Sequence, residues 1–419
     1  DLHKEYRRQR QMCIRDSLCG DALASGAERN TFYGTEAGTA CNTGDRNTCV
    51  GNASGAQLTS GIENTFFGDV AGYGVTSQNG NVAVGCRTLQ YNQTANATAV
   101  GYYALHSNTN GADNVAVGSE ALKANTTGSQ NVGIGKQAGL AITTGQYNTL
   151  VGNRAGESVT TATINTFIGY RSGDQCTTGA ANTALGDKAF IGSSAGGYNV
   201  ALGHSAMGDI QSNATVSQNI AIGANSLKVN QGSYNVAVGH HALINNSTAN
   251  GNTGVGYNAL AAVTTQAEST AVGYQALFYT TTGDQNTGVG RDALVANTTA
   301  SNNTSVGYYS LKANTTASYN TAVGKSALRV NTTGASNTGI GYQALKSNTT
   351  GSDNTATGFG SLWTNTTGTR NVALGYNSLY YNTTASYNTA TGAYSLHNRT
   401  TGAYITGLGY YALFTNSTC

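Results

Sequence analysis

From Gly34 onward the chain returns 23 times to one phrase, in its commonest form N-T-A-V-G-Y-x-A-L-x-x-N-T-T-G-S-x. With the glycine after the aliphatic residue as slot 0, that glycine falls 17 residues apart, except for 16 at Gly85 to Gly101, 20 at Gly203 to Gly223 and 16 at Gly223 to Gly239. A period this short and strict means units that cannot bury a core alone and must stack on their neighbours, so the length of 419 residues does not translate into a set of independent domains. Seventeen residues are also too few for a repeat of two packed helices, which needs about 33.

The reading is therefore an all-β, parallel β-solenoid with one coil per repeat and about 23 coils. With coils about 4.8 Å apart this predicts a rod on the order of 110 Å long. Asn-Thr-Ala-Val is expected to form a strand, the slot 0 glycine a corner, and Asn-Thr-Thr-Gly a second strand entering a turn. Composition agrees: 56 Gly, no Pro and only 10% charged residues suit strands and turns better than helices. A net charge of +2, with no basic run outside the first 17 residues, argues against nucleic acid as a partner. No apolar run reaches the roughly 18–20 residues of a membrane span.

Internal copies test the packing. In seventeen of them slot +4 is large, Leu in fifteen and Phe190 and Met207 in the others, and slot −2 is then always Ala, Gly or Ser. In six copies slot +4 is Gly, and five of those carry Phe32, Cys49, Phe66, Leu150 or Phe167 at slot −2, with Gly133 the exception. Volume exchanged at nearly constant total is what a close-packed interior demands, so slots −2 and +4 are expected to touch. Descent of two repeat subtypes would give the same pattern. Slot −1, nearly always aliphatic, is expected to complete the core. Two large apolar positions per coil are thin support, which favours a core shared between chains, most simply three solenoids around one axis; the alternative is a single chain held by stacked Asn and Thr.

A repeated slot becomes a column, and function is sought column by column. Slot −4 is Asn in most copies, among them Asn64, Asn165, Asn252, Asn286, Asn320 and Asn354, as a ladder of stacked amides would require. Slot +7 places Asn92, Asn125, Asn246, Asn297, Asn314, Asn331, Asn348, Asn365, Asn382 and Asn416 in Asn-x-Ser/Thr sequons, which in a secretory pathway are acceptors for N-glycans on an exposed edge. Slot +1 carries Tyr102, Tyr170, Tyr257, Tyr274, Tyr308, Tyr342, Tyr376 and Tyr410; it also accepts Asp69, Lys136, Asp187, His204, Arg291 and Lys325, and so faces solvent as a possible glycan- or partner-contact surface, or as stacking that stiffens the sheet. Slot −5 adds Tyr147, Tyr234, Tyr319 and Tyr387. Thr pairs at slots +8 and +9 would suit an ice-binding rod and equally an ordinary strand.

Active-site chemistry finds no support. His3, His106, His204, His240, His241 and His397 are scattered, no Cys-x-x-Cys or His-Glu-x-x-His occurs, and no Gly-Lys-Ser/Thr follows the Gly-x-Gly strings, so neither an enzyme nor a metal or other cofactor is expected. Cys13, Cys19, Cys41, Cys49, Cys86, Cys176 and Cys419 show no disulfide framework.

Residues 1 to 17 lack the repeat, and the run Arg-Gln-Arg-Gln-Met-Cys-Ile-Arg-Asp-Ser over 8–17 resembles translated sequencing-adapter read-through, so this segment is expected to be artefactual or disordered and both ends of the chain to be truncated. Residues 18 to 419 are expected to form one continuous repeat domain, irregular near 204–238, with a protruding loop within 208–219. The phrase N-T-A-V-G-Y-Q-A-L-x-x-N-T-T-G, as at Gly273-Tyr-Gln-Ala-Leu and Gly341-Tyr-Gln-Ala-Leu-Lys-Ser-Asn-Thr-Thr-Gly, resembles the repeats of bacterial and phage tail-fibre-like surface proteins and, more distantly, the heads of trimeric autotransporter adhesins. That resemblance implies a β-roll, homotrimeric assembly and a place at the cell surface or on a virion fibre. The functional expectation is a non-enzymatic extracellular fibre shaft or head that binds glycan or a cell surface. The alternative is a subunit of a glycosylated polymeric filament.

Overall fold

The computed structural model describes residues 12–14, 20, 22, 23, 27–211, 214–398 and 400–414. The chain is a parallel β-solenoid with one three-residue strand per repeat, arranged in two compact units, Asp1–Val216 and Ser217–Cys419. In the first unit β1 (Met12–Ile14), β2 (Thr31–Tyr33) and the strands that follow, up to β12 (Val200–Leu202), each pair in parallel with the next. In the second, β13 (Ile220–Ile222) through β24 (Thr406–Leu408) do the same. The register sets slot on slot: Thr65 faces Val82 and Phe66 faces Ala83 in the first unit, and Thr321 faces Thr338 in the second. One repeat is thus one coil. Of the segment 1–17 only Met12–Ile14 lies among the described residues, and it pairs with Thr31–Tyr33.

Each coil is bent by four residues with positive φ. Slot 0 is always Gly, at φ between +120° and +141°. Slots −5, +2 and +4 sit near +60°, and most are not glycine: Tyr319, Ser326 and Leu328 have φ of 65°, 59° and 50°. The bond from Ala327 N–H to the Gly324 carbonyl closes a four-residue turn whose third residue, Ser326, has φ > 0, as a type II turn requires. A second turn joins Asn331 N–H to the Leu328 carbonyl. Left-handed Leu costs roughly 1–3 kcal/mol and persists only because its surroundings over-determine it; here the side chain is fully buried. Glycine at slot 0 answers a close approach as well, since a Cβ on Gly273 would lie 2.6 Å from the carbonyl oxygen of Gly290 in the adjacent coil.

The interior is built from slots −2, +3, +4, +7 and the −4 asparagine. The exchange between slots −2 and +4 is steric. A Cβ on Gly38 would meet Phe32 at 2.7 Å, one on Gly72 would meet Phe66 at 2.7 Å, and one on Gly55 would meet Cys49 Sγ at 2.7 Å. Slot −2 also touches slot +4 of the preceding coil, as Gly288 does Leu277. This explains Gly133. Leu122 from the preceding coil lies against it, and Leu122 and Leu150 from the two flanking coils close over Gly139.

Two expectations are corrected. Slot −1 is not core: a strand alternates sides with period two, so turning slot −2 inward turns slots −3 and −1 outward. Val117, Val272, Ile340 and Leu374 are 37–39% exposed. The Asn-Thr-Thr-Gly stretch is not a second strand among the described residues; it is a turn segment in which Thr126 N–H bonds the Thr143 carbonyl and Thr143 N–H the Thr160 carbonyl.

The coil beginning at Gly203 shows where its extra residues go. Other coils close with the slot −4 amide donating to a carbonyl 14 residues on, as Asn182 does to Gly196; Asn199 instead donates to Val216, 17 residues on. Three residues are therefore inserted before the closure, within a stretch containing 212 and 213, which lie outside the described residues. The short coil starting at Gly85 loses a residue from its last turn, and Asn92 Nδ2 reaches the Thr94 carbonyl at 2.7 Å where longer coils reach slot +10.

Candidate functional site

Two asparagine columns run through the interior. At slot −4, Asn354 Oδ1 accepts from Asn371 N–H at 3.0 Å and from Asn371 Nδ2 at 3.1 Å, while Asn354 Nδ2 donates to the Gly368 carbonyl at 2.8 Å. Each side chain thus ties one coil to the next and closes its own coil. Where Ala97 replaces Asn, its N–H still bonds Asn81 Oδ1, and Ser269 Oγ accepts from Asn286 N–H.

Slot +7 is the second ladder, and it is not an exposed edge. Asn92, Asn125, Asn246, Asn297, Asn314, Asn331, Asn348, Asn365 and Asn382 are fully buried, and Asn416 lies outside the described residues. Asn348 Nδ2 donates to Asn331 Oδ1 at 2.7 Å and to the Gly351 carbonyl at 2.8 Å; Asn365 Nδ2 and Asn382 Nδ2 repeat the pattern. Both amide hydrogens are committed, and a sugar on Nδ2 has no space in the folded coil. The signal was available in the column itself. Other copies fill slot +7 with Cys41, Leu58, Val75, Ile142, Val159, Cys176 or Val263, among others, and these seven are interior residues, six of them in the coils whose slot +4 is Gly. Slots −2, +4 and +7 share one volume, and the ladder breaks where an apolar coil intervenes: Asn125 Oδ1, followed by Ile142, and Asn246 Oδ1, followed by Val263, have no hydrogen-bond partner.

The outer surface carries the aromatic column at slot +1. Tyr102, Tyr170, Tyr257, Tyr274, Tyr308, Tyr342, Tyr376 and Tyr410 are all exposed, from 39% at Tyr308 and Tyr342 to 74% at Tyr410. In the second unit they stack. His240, Tyr257 and Tyr274 lie with centroids 5.6 and 5.3 Å apart and planes within 9°, and Tyr342, Phe359 and Tyr376 follow at 5.0 and 5.1 Å within 13°. These distances fall in the offset-stacking range and track the coil spacing. Between the two runs the column alternates cations and rings: Arg291 lies 5.2 Å from the Tyr274 centroid, and Lys325 sits 5.7 Å from Tyr308 and 5.9 Å from Tyr342. A hydrogen bond with Tyr309, and then partial desolvation, hold the Tyr308 hydroxyl above its ordinary value. In the first unit the column is broken up; Tyr102 packs edge-on against Tyr103 at 4.4 Å.

At slot −5 Tyr147, Tyr234, Tyr319 and Tyr387 are exposed on left-handed residues, and Tyr387 stacks on Tyr404 at 4.8 Å. Thr hydroxyls at slot +8 bond backbone, as Thr349 Oγ1 does the Thr366 carbonyl at 3.0 Å.

Among the described residues no group of three or more His, Cys, Asp and Glu could hold a metal ion, and no helix is long and apolar enough to cross a membrane. No protein-family model and no curated protein sequence matches the chain. The class that fold and surface define is a repeat protein of the β-solenoid type, stiffened by two internal amide ladders and displaying ordered side-chain columns outward.

Proposed function

We propose that the protein is a non-enzymatic extracellular shaft or adhesive head of the tail-fibre or adhesin kind its repeat resembles, and that it contacts glycan or a cell surface through the slot +1 column. The observation that carries this reading is the second unit's run of exposed, mutually stacked rings, interleaved with Arg291 and Lys325. Ring faces and edges suit the C–H faces of sugars, and interleaved cations suit acidic ones. Neighbouring rings hold one another in place, so little side-chain freedom is lost on binding. The test is binding of the full chain to a panel of neutral and acidic oligosaccharides, with the variant Tyr274→Ala/Tyr342→Ala/Tyr376→Ala alongside. A captured sugar class whose affinity drops at least tenfold in the variant supports the reading. Absence of binding across the panel, or equal binding by the variant, ends it.

A further inference from the structure

The strand face carries no charge in any copy, and unlike slots +8 and +9, which are also uncharged but filled mostly by Thr, Ser, Asn and Gln, it keeps an apolar column. Slots −3 and −1 point outward in every described coil, yet slot −3 is Thr, Val or Ile in all 23 copies, and slot −1 is apolar in all but Thr357 and Thr391. Neighbouring outward slots show no such restriction: slot +1 takes Asp69, Lys136 and Arg291, and slot −5 takes Arg46, Glu63 and Asp353. Solvent exposure alone therefore does not account for the composition. The interior does not account for it either, because slots −2, +4 and +7 close the core within each chain.

We infer that a second copy of this chain packs its own strand face onto this one. A flat two-column face, repeating at the coil spacing of about 4.8 Å, offers roughly 50 Å² per coil; eleven or twelve coils give about 550 Å² per unit and per copy, so a pair of units buries on the order of 1,100 Å², near the lower bound of a specific interface. A patch of that size is at the limit of what a monomer exposes. The occupant is a copy because it must match two columns at an unbroken pitch over every coil of a unit, and another such solenoid has that pitch by construction. Thr γ-methyls and Val side chains of facing sheets interdigitate about 10 Å apart, as in other face-to-face sheet packing, and leave no charge to desolvate. The amide ladders and the Leu core of each chain stay intact. The seam lies between closed solenoids, unlike the shared interior expected from composition, and it is independent of any ligand of the aromatic column.

Sedimentation of the full chain across about 1–100 μM is the test, since a self-associating face makes mass concentration-dependent. The wild type is expected at a multiple of 42.8 kDa. Val289→Lys/Val323→Lys places two charges in the seam and is expected to return the chain to single copies with unchanged far-UV circular dichroism. Should the lysine pair disturb folding, Val289→Thr/Val323→Thr, which uses the residue found in this slot at Thr357 and Thr391, is expected to weaken association at least tenfold. Tyr257→Ala/Tyr274→Ala is expected to associate like the wild type. A wild type that is a single chain at every concentration overturns the proposal, and so does a single chain showing thermal hysteresis, which would mean the face orders water. Association unchanged by the folded lysine or threonine variant, or abolished by the tyrosine variant, also overturns it.

Discussion

Replacing one glycine by alanine has opposite consequences at two slots of the same coil pattern. Gly273 stands at slot 0 with φ +132°, and an added Cβ meets Gly290 O at 2.6 Å and Gly290 C at 2.7 Å, both backbone atoms that no rotamer change can move. Strain at that φ costs about 1–3 kcal/mol, and forcing the coils apart costs a further 1–3 kcal/mol or so. The total, about 2–6 kcal/mol, falls on bonds such as Gly290 N–H to the Val272 carbonyl, now 2.7 Å. Gly339 stands at slot −2, its φ is not positive, and its added Cβ meets Leu328 Cγ at 3.3 Å and Ala344 O at 3.4 Å. Ala322 and Ala356 occupy that slot in the flanking coils, so Gly339→Ala is expected to be neutral or to stabilise by up to about 1 kcal/mol through loss of unfolded-state freedom. Urea denaturation followed by far-UV circular dichroism measures both, and amide hydrogen exchange localises the damage, because a solenoid opens coil by coil. Gly273→Ala within about 0.5 kcal/mol of the wild type, or two variants shifted alike, would refute the corner as a close-approach site.

Four further outcomes are expected. Ala373→Phe overpacks slot −2 and costs about 1–3 kcal/mol, Leu379→Gly empties slot +4 and costs about 2–5 kcal/mol, and the double variant costs less than the sum by at least about 1 kcal/mol in a thermodynamic cycle; strict additivity would mean that these slots do not share volume. Val263→Asn, ordinarily a penalty of about 2 kcal/mol or more in a core, is expected within about 1 kcal/mol of neutral by urea denaturation, since it supplies a donor to Asn246 Oδ1 and can reach the Gln266 carbonyl; a full core penalty would show that the ladder does not accept it. Burial pushes the Cys176 thiol from 9.0 up to about 12, so the folded unit keeps a proton that the unfolded chain releases; stability falls as pH rises above about 9, and Cys176→Val, matching Val75 and Val159 in that slot, flattens the slope of urea midpoint against pH. Mass spectrometry of folded protein secreted from a glycosylating host is expected to find Asn331, Asn348 and Asn365 unmodified, and occupied sites in folded material would contradict the internal ladder.

Much of the architecture is legible in the period. Strict recurrence every 17 residues fixes one coil per repeat, the exchange of Phe66 with Gly72 against Ala373 with Leu379 reveals an interior contact, and the mixture of Tyr308 with Lys325 and Arg291 marks slot +1 as outward. Such patterns survive in sequence because each states a volume or a solvation condition repeated in every coil. Which side an uncharged slot takes is another matter. Val at slot −1 and Asn at slot +7 carry hydropathies that point the wrong way, and only the closed backbone, which turns slot −2 inward and offers slot +7 amides such as Asn348 acceptors for both Nδ2 hydrogens, sends the valine out and the asparagine in. Hydropathy describes a side chain in isolation, whereas its place is set by the hydrogen bonds and strand parity of the coil around it, and these exist only once the chain has folded.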